Sequence, residues 1–148
     1  MVIKRIYFGH PVNTFGTETE EEVIENVLSF LKKLSFDGGC KWIIENPNTQ
    51  IHQERCLEEK NKSGNAMTYF FDCVLPICSG GIFLPFRDGK WGKGVAGEAK
   101  FLIKNNCPVW EITHTGQIRK ITTLSNLEIL SVYDTRKKIR DNNGMRYY

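Results

Sequence analysis

The sequence predicts a three-layer α/β domain built on a mostly parallel sheet, and three observations support this. Short apolar segments rich in β-branched and aromatic residues, at 2–8, 41–45, 82–86 and 109–112, alternate with stretches whose apolar residues recur at helical spacing. The segments are separated by glycine, proline and asparagine clusters that stop one element and start the next. Near the end, the turn residues Thr113, His114, Thr115 and Gly116 announce a hairpin that adds an antiparallel strand.

Taken in order, residues 2–8 (VIKRIYF) read as the first strand, stopped by Gly9, His10 and Pro11. Thr17 offers an N-cap, with Glu18 and Glu20 in the first turn of a helix. Its apolar positions Val23, Val27, Leu28, Phe30, Leu31 and Leu34 form a stripe, and Gly38 and Gly39 close it. Residues 41–45 (KWIIE) form the second strand, broken by Asn46, Pro47 and Asn48. The polar stretch 49–63 is expected to be irregular, with a short helix around 52–60. Residues 64–78 carry Met67, Phe70, Phe71, Val74 and Leu75 at helical spacing, with Pro76 bending or ending that helix.

The third strand at 82–86 passes into a glycine-rich loop and then into a helix marked by Val95, Ala99, Leu102 and Ile103. Asn105, Asn106 and Pro108 end that helix before the strand at 109–112. Residues 117–122 return antiparallel, 127–132 (LEILSV) read as a further strand, and a last helix runs to about 140. The result is a flavodoxin/Rossmann-like domain with a mostly parallel five-stranded sheet plus a C-terminal antiparallel hairpin element. It is expected to occupy 1–148 as a single domain, with the tail 141–148 either loose or forming an interface.

Composition narrows the partners. At 148 residues, with 41% hydrophobic and 25% charged residues, the chain can bury one core. A net charge of +3 argues against a nucleic-acid polymer as partner, and no stretch approaches the roughly 20 apolar residues of a membrane span. The five cysteines are dispersed and lack paired zinc spacing. A reducing, cytoplasmic compartment is expected, without a signal peptide, and neither a cofactor nor a metal is expected.

In open α/β sheets, ligands gather beyond the carboxyl ends of strands near the switch in strand order. That rule selects the loops 9–13, 45–48 and 87–94. The candidates on or beside them are Tyr7, Gly9, His10, Asn13, Glu45, Asn46, Asp88, Trp91, Gly94 and Glu98. Glu98, flanked by Val95, Ala96, Gly97 and Ala99, is a carboxylate that a substrate can approach, and carboxylates attack acetal carbons. On spacing alone the commoner reading is an acid serving the helix dipole. His10 is either a proton donor or a cap on the strand end. Trp91 either stacks on a base or fills the space beneath its loop. Asp88 with Gly89 is also an ordinary turn pair. Lys90 and Lys93 beside Gly94 either accept a phosphate or are solvated. His52 and His114 read as surface residues.

The run from Gly92 to Glu98 (GKGVAGE), followed by Cys107, Pro108 and Val109 and preceded by a first strand reading Ile6, Tyr7, Phe8, Gly9, His10 and Pro11, resembles the nucleoside 2-deoxyribosyltransferase-like family. The resemblance implies a glutamate nucleophile, Glu98, that attacks the anomeric carbon of a (deoxy)nucleoside or nucleotide. The sugar then passes to another base or to water. It implies that Tyr7 positions the glutamate, and that Asp88 and Asp72 are the acids available to hold the sugar or protonate the base. Gly92 stands where the family has an aspartate. It further implies a small-molecule substrate and a homo-oligomer, because that family often completes its site from a neighbouring subunit. The same pocket without turnover would make a nucleotide sensor, and related folds cleave NAD.

Overall fold

Strand β1 (Ile3–Gly9) places alternate side chains on opposite faces of the sheet, and this alternation organises two cores. Ile6 and Phe8 face one way, joined by Ile82, Leu84 and Ile112 from neighbouring chain segments and by Val23, Val27 and Leu31 from helix α1 (Glu18–Gly38). Tyr7 faces the other way, with Phe83, Trp91, Val95, Ala99, Leu102 and Val109. The computed structural model describes residues 2–140; the tail expected to be loose or interface-forming lies outside the described residues.

The sheet has five strands in the order β2 (Lys41–Glu45), β1, β3 (Gly80–Phe83), β4 (Val109–Ile112) and β5 (Ile118–Ile121). The first four are parallel, and β5 runs antiparallel to β4 through the expected hairpin. Helix α1 covers one face, and α4 (Lys93–Lys104) packs against the other. This is the three-layer arrangement expected of the sequence. The chain reverses direction across the sheet between β1 and β3, so a crevice opens beyond their carboxyl ends.

Helix α1 begins as its sequence suggests. Thr17 Oγ1 accepts the Glu20 backbone N–H, Glu20 accepts from Gly16, and Gly39 ends the helix in the left-handed conformation that a side chain would disfavour. Leu28, read as part of the buried stripe, is exposed because it lies off the arc defined by Val23, Val27 and Leu31.

Four segments differ from expectation, the first being the third strand, which spans Gly80–Phe83 and not 82–86, ending before Pro85, which has no N–H to give to a sheet. Residues 49–63 form an ordered helix, α2 (Gln50–Ser63), capped by Thr49 and closed by Gly64; the terminal caps compensate for a weak apolar pattern. The segment after it is not one regular helix. A single α-turn, α3 (Met67–Tyr69), widens into a π-turn (Phe70–Val74) and tightens to a 3-10 turn (Leu75–Ile77) around Pro76. Residues 127–132 make no strand of the sheet. Ile129 forms an isolated bridge to Trp91, and the chain then enters α5 (Val132–Arg140). Among the described residues, no helix is long and apolar enough to cross a membrane.

Gly9 is required by close approach, not by an unusual backbone angle. A Cβ there would lie 2.3 Å from Cδ1 of Phe83, whose fully buried ring is held between Tyr7 and Trp91. Gly9→Ala is therefore expected to cost about 1–3 kcal/mol through overpacking, read as a lowered urea midpoint with an unchanged slope.

Candidate functional site

The crevice at the switch in strand order holds a cavity of about 290 Å³. Its walls come from the loop after β1 (His10, Pro11, Val12, Phe15), from Pro47 after β2, and from Phe86, Gly92 and Gly94 after β3. The α2–α3 side adds Gln53, Cys56, Met67 and Phe70, and α5 adds Thr135. The lining is mainly apolar and aromatic, with few polar groups.

Tyr7 and Glu98 form one of its walls together. The Tyr7 hydroxyl donates to Glu98 Oε2, joining residues 91 apart in sequence. Glu98 lies in the second turn of α4, whose first turn carries no acid, so the helix dipole does not account for it. Only 5% of its surface is exposed, and burial pushes its carboxyl up to about 8 even though the Tyr7 hydrogen bond opposes the rise. Burial, and next the adjacent Glu98 charge, hold the Tyr7 phenol well above its usual value. Tyr7 therefore stays a proton donor over the whole working range, and it fixes one oxygen of Glu98.

His10 borders the cavity, but its nitrogens are engaged by the protein. Nδ1 lies 3.1 Å from the Phe8 carbonyl and Nε2 lies 2.6 Å from Glu20 Oε2, with the ring stacked 4.2 Å from Phe8. Burial alone would raise the Glu20 carboxyl; hydrogen bonds from His10, Asn48 and Gly16 outweigh it and hold the group below its ordinary value. The trio of His10, Glu20 and Asn48 thus ties together the loops after β1 and β2.

Other expected residues are placed differently. Asp88, expected beside the nucleophile, sits on the surface, paired with Lys138 and accepting the Lys90 backbone N–H at 3.1 Å. It is the turn residue that Asp-Gly pairs favour, and those contacts hold its carboxyl low against the opposing effect of burial. Of the two readings of Trp91, stacking on a base and filling the space beneath its loop, the structure shows the second: the side chain is fully buried. Its Nε1 donates to Glu111 Oε2 at 2.7 Å, and Arg119 holds the other Glu111 oxygen at 2.7 Å. Asp72 lies on the π-turn and borders a separate surface depression with Arg55, Glu58 and Tyr69.

Asn46 uses its side chain to accept the Asn48 backbone N–H, an Asx turn that leaves Pro47 as the cavity residue of that loop. Asn13 lies within the turn between the cavity residues Val12 and Phe15, while Gly9 lies beneath the cavity against Phe83. Gly94 lines the cavity. Of the loop lysines, Lys90 approaches Glu128 at 3.7 Å and Lys93 is exposed; neither lines the cavity.

Several contributors carried no sequence signal. His52, read as a surface residue, is buried between Tyr69 (2.6 Å) and Glu45, and Arg5 holds the second Glu45 oxygen at 2.8 Å. This chain fixes α2 and α3, and with them Gln53, Cys56, Met67 and Phe70. His114 is half-buried against the Pro85 carbonyl. Comparison with family models, with curated proteins and with solved structures finds no match for this chain.

Proposed function

We propose that the protein cleaves or transfers the N-glycosidic bond of a (deoxy)nucleoside or nucleotide, with Glu98 as the nucleophile. The observation that carries this reading is a single buried carboxyl held by a tyrosine against an apolar cavity. A Glu98 oxygen forms a bond to the anomeric carbon as the carbon–nitrogen bond breaks. The electron pair leaves with the base, which takes a proton from water. A second base or water then displaces the glutamate from the sugar. An apolar wall suits this chemistry, because a poorly hydrated carboxylate lies close to a transition state with oxocarbenium character. The resemblance of the Gly92 to Glu98 run to deoxyribosyltransferases supports the same assignment.

Incubation with deoxynucleosides, their monophosphates and NAD, followed by chromatography, is expected to release free base from at least one class. Because the nucleophile must ionise, kcat/KM should climb with pH toward a midpoint near 8, the value to which burial pushes Glu98. A profile flat between pH 6 and 9 would show the carboxyl already ionised, and base release undiminished in Glu98→Ala would remove Glu98 as nucleophile.

A second reading, a nucleotide sensor without turnover, is favoured by the same shift. A carboxyl still protonated at neutral pH donates a hydrogen bond to a base nitrogen or carbonyl. Saturable binding with no base released by any substrate would select it.

A further inference from the structure

We propose that α5 is a lid over the Glu98 cavity, hinged at its bridge to Trp91 and latched at its far end by Lys138 on Asp88. The helix has no fully buried residue; its inward face is the half-buried set Thr135, Lys138 and Ile139, at helical spacing. Val132 and Tyr133 are exposed. Among the described residues, the contacts that hold it are mostly polar. Thr135 Oγ1 accepts the Lys93 backbone N–H at 3.0 Å, and Lys138 pairs with Asp88 while its Nζ stands 5.6 Å from the centroid of the Phe86 ring. Two of these contacts belong to the cavity itself, since Thr135 and Phe86 are both wall residues. Thr135 also closes against Gly92, where its Cγ2 would lie 3.3 Å from a Cβ.

The hinge is better anchored than the latch. The Trp91 N–H donates to the Glu128 carbonyl and the Leu130 N–H donates to the Trp91 carbonyl, both at 2.9 Å, around a fully buried indole. Beyond Leu130 the helix is held by the Thr135 hydrogen bond, by Lys138 over the Phe86 ring and by the partly exposed Lys138–Asp88 ion pair, of the kind that salt weakens. A helix of nine residues is also too short to persist once detached, so release of the latch frays the lid and uncovers the cavity.

The test uses the full chain and two readouts that do not involve turnover, so its outcome is separable from that of the glycosyl reading. Hydrogen–deuterium exchange follows the peptide covering 131–140 against that covering α4. Labelling with iodoacetamide, resolved peptide by peptide, follows Cys56, a thiol in the cavity wall. Asp88→Asn and Lys138→Met are each expected to raise both rates about two- to fivefold while α4 exchange stays constant. Raising salt should do the same to the wild type and little to either variant. Thr135→Val, which keeps the shape but loses the acceptor, should move both rates in the same direction. Unchanged exchange at 131–140 in both latch variants would overturn the proposal. So would faster exchange there with Cys56 labelling unchanged, since α5 would then be a packed appendage and not a lid.

Discussion

Glu98→Gln is expected to lower base release by at least about a thousandfold while making the folded protein more stable in mild alkali. The two effects have one cause. A neutral amide retains the acceptor oxygen for Tyr7 and the shape of the wall, but it cannot attack carbon. In the wild type, burial raises the carboxyl from 4.5 to about 8, so the folded state favours the protonated acid. Stability from this group is therefore fully present below about pH 4.5 and is lost as pH rises through 8. A shift of that size corresponds to a penalty on the order of 5 kcal/mol at pH 9. Urea midpoints at pH 5, 7 and 9 should fall progressively for the wild type and remain nearly level for Glu98→Gln. If both proteins lose stability in parallel, the carboxyl is hydrated, and the desolvated nucleophile loses its physical basis.

Trp91→Ala is expected to destabilise the fold by about 3–5 kcal/mol, the range for truncating a large buried aromatic. The indole is fully buried, its ring stands 5.8 Å from Phe83, and its N–H satisfies a buried Glu111 oxygen. Trp91→Phe keeps most of the volume and removes only the donor, so a loss of about 1–3 kcal/mol is expected from the unsatisfied carboxylate. Denaturant titration of the two variants separates packing from hydrogen bonding. A tryptophan that stacked on a ligand would give the opposite result, with weakened binding and nearly unchanged stability.

The fold was legible because the decisive signals were local. Thr17 and Gly39 mark the ends of α1, the apolar segments of β1 and β3 alternate by face, and the turn before β5 has hairpin residues. The rule on ligand position also led to the loops that line the cavity. What remained hidden depends on partners distant in sequence. Nothing near His52 indicates that it will meet Glu45 and Tyr69, and nothing near Trp91 indicates Glu111. The α2 helix is hard to read because it rests on its terminal caps, Thr49 and Gly64, and not on an apolar stripe. Residues 127–132 have strand composition, yet their backbone bonds go to Trp91, outside the sheet. Asp88 shows the reverse case, in which an acid suited by type to catalysis serves a turn and an ion pair.

The hydrogen bond from Lys93 to Thr135 spans 42 residues, and the helix that carries Glu98 has no side-chain cap of its own at Gly92. During synthesis, the strands and α4 emerge before the residue that completes the start of α4. Until α5 leaves the ribosome, the Glu98 pocket lacks the wall that Thr135 supplies, and its apolar lining faces water. Assembly of the site is therefore expected to follow the docking of α5 and to be slower than collapse of the sheet around β1 and β3. A chain stalled before Thr135 would hold a folded core and an unfinished pocket, the state most exposed to capture by other apolar surfaces.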